Sequence, residues 1–117
     1  MNMNIQTNGV EMTDAINTYA EDKAGTLEKY FDGITAIDVI VGMHSNHHSK
    51  GKVYFAEMSV HVPGKTIFVK KDAVDLYKSI DKVRDHMKVE LEKMKGKMRH
   101  VDKEALREQK AYQEDEE

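Results

Sequence analysis

Apolar and polar residues alternate where the chain begins, with Met3, Ile5 and Thr7 set against Asn4, Gln6 and Asn8. A period of two marks a strand with one buried face, ended here by Asn8-Gly9. After Thr13 the period changes. Ile16, Tyr19, Ala20, Ala24, Leu27, Tyr30 and Phe31 recur at steps of three and four. That spacing predicts a helix of about 18 residues with one apolar stripe. Thr13 is its N-cap, Asp14 suits the first turn, and Gly33 is expected to close it.

Ile37 to Met43 is rich in Val and Ile and predicts a second strand, followed by a polar loop, His44 to Gly51. Next, Tyr54, Ala56, Met58, Val60 and Val62 share one face, and Phe55, Glu57, Ser59 and His61 the other. This is a third strand with a single buried face. Pro63-Gly64 turns the chain into a fourth strand, Thr66 to Lys70, making a hairpin. The last pattern is long: Leu76, Ile80, Val83, Met87, Leu91, Met94, Met98 and Val101, with Asp72 as the expected N-cap. Gly96 costs this helix roughly 1 kcal/mol relative to Ala and is an expected point of fraying.

The order strand, helix, three strands, helix predicts an α+β two-layer domain, β-α-β-β-β-α. Its four-stranded sheet carries both helices on one face. Double-stranded-RNA-binding modules have a similar order after their first helix. The domain is expected to span residues 1–101. Residues 102–117 are Lys-, Glu- and Gln-rich, nearly lack apolar side chains, and are expected to be disordered.

Net charge is −3 over 117 residues, but it is unevenly spread. Residues 1–49 carry −5, residues 50–100 carry +6 and residues 101–117 carry −4. A basic middle between acidic ends points to a polyanionic partner, because binding follows the local field. Cysteine is absent, which excludes disulfides, thiolate zinc sites and a cysteine nucleophile. Met1 to Asn4 has neither a basic region nor an apolar stretch, so no secretory signal is expected and a cytoplasmic location is. No apolar run approaches the ~20 residues needed to cross a bilayer.

The long helix concentrates the positive charge. It bears Lys78, Lys82, Arg84, Lys88, Lys93, Lys95, Lys97 and Arg99, with Lys70 and Lys71 at its entrance. Asp81, Asp85, Glu90 and Glu92 lie among them, some at ion-pair spacing, as on any solvated helix face. After Glu92, however, every charged residue through Arg99 is a base. Lysines neutralise phosphate without demanding fixed geometry. There is no Trp, and most Tyr and Phe occupy core-facing positions, which favours backbone or shape reading of folded RNA over sequence-specific single-strand recognition.

Longer stretches carry a resemblance. Asn4-Ile5, Glu11-Met12-Thr13 and Leu27-Glu28-Lys29-Tyr30 resemble the opening of the bacterial ribosome hibernation-promoting factor family, which includes ribosome-associated inhibitor A, or protein Y. The stretch from Glu57 to Asp81, with Asp75-Leu76-Tyr77 and Ile80-Asp81, is similar to that family's last two strands and helix start. Together the matches span roughly residues 1–100.

The resemblance implies the fold expected above and a cytoplasmic translation inhibitor acting in stress or stationary phase. It implies binding to the small ribosomal subunit between head and body, in the channel of mRNA and tRNA. By position it carries over Lys23, Lys29, Lys82, Lys93, Lys95 and Lys97 as contacts to rRNA phosphates. Lys70, Lys71, Lys78, Arg84 and Lys88 join them on charge alone. The chain departs from the pattern at Thr26, His86 and Val89, where the family usually has cations. Its acidic tail resembles protein Y more than the short hibernation-promoting form, and a monomer is expected.

No catalytic set is recognisable. The serines lack a nucleophile-elbow context, and helix carboxylates alternating with lysines are those of exposed ion pairs. His44, His47 and His48 are loop histidines by default, so no metal and no cofactor is expected. Two other readings stay open: a module pairing through the near-heptad stripe of the long helix, and a general double-stranded-RNA binder.

Overall fold

A computed structural model describes residues 1–44 and 53–115, with side chains described to residue 97. Four strands and two helices follow the expected order. They are β1 (Asn2–Asn8), α1 (Asp14–Gly25), β2 (Ala36–Met43), β3 (Tyr54–Val62), β4 (Lys65–Ala73) and α2 (Leu76–Asp115). The sheet order is β1-β2-β3-β4. β1 runs parallel to β2, as the α1 crossover between them requires, and the other neighbours are antiparallel.

Register decides what each strand buries. Met3 pairs with Ile37, Ile5 with Val39, Met58 with Val69 and Val60 with Ile67, so these positions share one sheet face. Both helices lie on that face. Ile16, Ala20, Ala24 and Leu27 come from the first helical stretch, and Ile80, Val83, Met87 and Leu91 from α2, all in one core with Val39, Ala56 and Met58. The opposite sheet face is open.

Four local expectations are corrected. The first helix is shorter than 18 residues. Thr13 caps it as expected, its hydroxyl oxygen accepting the Ile16 N–H at 3.1 Å, but the helix ends at Gly25. There the Thr26 hydroxyl donates to the Lys23 carbonyl at 2.6 Å, and the chain tightens into a 3-10 turn over Thr26–Lys29. Gly33 therefore does not cap the helix; the left-handed glycines are Gly9 and Gly64, both in turns.

Second, β4 extends nine residues, because Lys71 and Ala73 continue the inward-facing series of Ile67 and Val69. Third, this draws Asp72 into the sheet, so it cannot cap α2. Asp75 does so, its carboxylate accepting the N–H groups of Tyr77 at 2.8 Å and Lys78 at 3.2 Å.

Fourth, the backbone of α2 passes Gly96, the expected point of fraying, and runs helical to Asp115. Glu, Lys, Gln, Ala and Leu dominate that stretch, and all are strong helix formers. No helix among the described residues is long and apolar enough to cross a membrane.

Candidate nucleic-acid interface

At about 100° per residue, the cations of α2 divide between two flanks. Arg84, Lys88 and Lys95 turn toward the first helical stretch. Lys82, Lys93 and Lys97 turn toward β4, and Lys78 stands near the crest.

The flank toward the first helical stretch forms a groove. At its lower end Lys29 and Tyr30, which follow α1, meet Glu92, Lys95 and Gly96 of α2 around a recess of about 300 Å³. The Lys88 ammonium lies 4.9 Å from the centroid of the Tyr30 ring. Such a contact holds a lysine in place without neutralising it. Lys29, Lys88 and Lys95 form no ion pair among the described residues. Midway, Arg84 is largely buried; it pairs with Asp85 at 2.9 Å, and its Nε has no protein partner.

The upper end is a fixed polar cluster. The Tyr19 hydroxyl donates to Asp81 at 2.6 Å, and Lys23 pairs with the same carboxylate at 3.5 Å. The hydrogen bond to Asp81, then burial, then the charges of Asp81 and Asp75 push the Tyr19 phenol up to about 12. Tyr19 therefore stays a neutral donor at every physiological pH. Lys23 also stands 5.5 Å above the Tyr19 ring, and Tyr77 meets that ring at 4.9 Å with the planes at 86°.

The flank toward β4 is looser. Lys71, Asp72, Lys82, Asp85, His86 and Val89 line a shallow groove there. Lys82 donates to the Asp72 carbonyl at 3.4 Å, and Lys93 pairs with Glu90 at 3.7 Å. Lys78 and Lys97 are exposed.

Lys70 does not join any of these. Successive strand residues point to opposite faces, so Lys71 faces the helices while Lys70 faces the open side. It pairs there with Glu57 at 3.6 Å and lies 5.1 Å over the Phe55 ring. On the same face His61 bridges Thr66 at 3.0 Å and Asp38 at 2.8 Å, and Asn4 donates to Asp38 at 3.2 Å.

The His61 hydrogen bond, opposed by burial and helped by Asn4, holds the Asp38 carboxyl below its ordinary 3.8. A depressed carboxylate stabilises the fold above its unfolded value and loses that contribution as pH falls through the folded one. Asp38→Asn is accordingly expected to lower the urea midpoint at pH 6. It is also expected to flatten the acid limb below pH 3.8, where wild type keeps falling. Equal pH slopes in the two proteins would show that the pair contributes nothing.

His44, first of the loop histidines, pairs with Asp72 at 2.8 Å, and its ring lies 4.9 Å from that of Phe55. His47 and His48 lie outside the described residues. No group of three or more metal-ligating side chains occurs among the described residues.

The three departures acquire locations. Thr26 ends α1, His86 pairs with Glu90 at 3.3 Å, and Val89 is 45% exposed on the β4 side. Lys88, next to Val89 in the chain, lies on the other flank of α2, over Tyr30. The groove role of Tyr30 escapes a periodicity argument. Its three-and-four spacing reads as core, and it is only partly buried.

The geometry agrees with what comparison with known proteins finds. The family model described as "Sigma 54 modulation protein / S30EA ribosomal protein" matches residues 3–99. A ribosome hibernation promoting factor from Azotobacter vinelandii is 33% identical over 97 residues, 83% of this chain and 85% of the relative. That of Escherichia coli K12 is 30% identical over 99 residues, 85% of this chain and 98% of the relative. The crystal structure of the Thermus thermophilus protein Y N-terminal domain superposes with a TM-score of 0.70 at 30% identity. It covers 80% of this chain and 99% of that one. Sequence, sheet order and helix placement thus converge: the chain belongs to the S30EA ribosomal protein family, alongside the ribosome hibernation promoting factors.

Proposed function

We propose that the protein is a non-enzymatic translation inhibitor, which binds the small ribosomal subunit through its helix layer and keeps ribosomes inactive. The observation that carries this reading is the groove between the helices. Lys29 and Lys95, 66 positions apart in sequence, line one recess there, and Lys88 is held on Tyr30 just beside it. A row of lysines that form no ion pair among the described residues fits a polyphosphate backbone. Residues 1–101 carry the activity as a cytoplasmic monomer, with no cofactor. Its bulk in the mRNA and tRNA channel excludes tRNA.

The first half of the α2 stripe is not available for pairing, and the side chains of Met98 and Val101 lie outside the described residues. Ile80, Val83, Met87 and Leu91 are each 0% exposed, so this part of the near-heptad stripe is spent on the domain's own core.

Co-sedimentation with purified subunits tests the reading. Pelleting with the small subunit is expected at low salt. About six phosphate contacts predict a roughly thousandfold loss of affinity between about 50 and 200 mM salt. Salt-insensitive pelleting would refute phosphate binding. Equal binding to an isolated RNA duplex would favour a general double-stranded-RNA binder.

A further inference from the structure

We infer that Tyr77 is a stacking platform for an unpaired nucleobase of the RNA held along the helix layer, an inference that rests on the ribosomal reading above. Tyr77 is 38% exposed, although it is a large aromatic in the first turn of a well-packed helix. Tyr19, Tyr30 and Phe31 pack against the core, whereas Tyr77 does not. Its position is nevertheless fixed by two contacts, one to its backbone and one to its ring. The Asp75 cap fixes the turn through the Tyr77 N–H at 2.8 Å, and Tyr19 meets the ring at 86°. An edge contact of that kind leaves at least one face of Tyr77 free of Tyr19. Tyr19 is itself anchored by its bond to Asp81. The result is a preorganised, exposed aromatic face that contributes nothing to the core.

Its surroundings favour a nucleotide. Lys23 stands at the same cluster, Lys78 adjoins it in the chain, and the groove of Arg84, Lys88, Lys95 and Lys29 leads away from it. The nearby acids are occupied: Asp75 by backbone N–H groups, Asp81 by Tyr19 and Lys23. Phe68 offers the contrast. It is 58% exposed, but it lies on the open face, where Asp38, Glu57 and Asp72 stand with Lys70 as the one lysine among the described residues. That field repels phosphate. Aromatic faces beside a cationic track are how proteins hold splayed bases, and stacking tolerates any base identity.

The chain has no tryptophan, so Tyr77→Trp places a single reporter at the site. With purified small ribosomal subunits as the probe, the indole emission of that variant is expected to be quenched on binding. Tyr77→Phe should pellet like the unsubstituted chain, and Tyr77→Leu should bind about tenfold more weakly with an unchanged Tm. Undiminished binding of Tyr77→Leu would overturn the inference. So would pelleting of Tyr77→Trp with unquenched emission, and a blue shift without quenching would assign the surface to a ribosomal protein instead. In each case the ribosomal reading would survive. Failure of the unsubstituted chain to pellet would bring down both.

Discussion

Reversing two charges, Lys29→Glu with Lys95→Glu, is expected to abolish association with the small ribosomal subunit while leaving the domain folded. The two lysines share a recess, and neither forms an ion pair among the described residues. Their reversal thus breaks no ion pair among the described residues. The substitution converts two attractions for phosphate into two repulsions beside Glu92, which already lines the recess. A loss of at least about a hundredfold in affinity follows, roughly 3 kcal/mol. Circular dichroism and Tm should stay within the range of ordinary surface changes, about ±0.5 kcal/mol. Lys70→Glu is the internal control. It carries the same change in charge on the opposite sheet face, and its binding should match wild type. If the double variant pellets normally, the interhelical groove is not the ribosomal surface. If Lys70→Glu loses binding equally, net charge and not position is what matters.

The second large effect concerns the open sheet face. Phe55 points there, yet it is only 7% exposed. Its ring is accommodated because Gly42, its partner in the β2–β3 register, has no side chain. A methyl group on Gly42 would stand 2.8 Å from two carbons of that ring and would collide with the Asn8 carbonyl. The ring is boxed in by His44 and Lys70, and the carbonyl belongs to the β1–β2 ladder. Neither gives way cheaply. Gly42→Ala is expected to cost about 3 kcal/mol, the upper end for overpacking. In a domain of this size that lowers Tm by roughly 10–20 °C. Gly25→Ala provides the comparison, because nothing lies within 4 Å of the added carbon and φ is −60°. It should be neutral or stabilise by up to about 1 kcal/mol. Similar melting curves for the two variants would show that Phe55 can leave its seat.

Both predictions depend on contacts between residues distant in sequence, and this is where reading the chain alone loses ground. Element order, the buried face of β3 and the stripe of α2 were legible, since each is a local periodicity set by 2.0 or 3.6 residues per repeat. Ends were less so. A helix that tightens at Thr26, and a strand that carries Asp72 past its expected role, obey hydrogen bonds that periodicity does not encode. The candidate cations were legible as a set, because a charge excess needs only counting.

The amino-acid sequence by itself determined the α+β order, the core positions, the absence of cysteine chemistry and the basic segment. Its resemblance also pointed to the ribosome. Tertiary structure alone decided which cations lie together. Lys70 and Lys71 are neighbours in the chain but lie on opposite faces, because a strand turns every second side chain away. Lys29 and Lys95 are distant in the chain but share a recess, because the core of Leu27, Met87 and Leu91 draws the two helices together. The same packing left Tyr77 outside the core and put Tyr30 beneath Lys88. Charge is a property of residues, whereas a binding surface is a property of the register and packing that bring residues together.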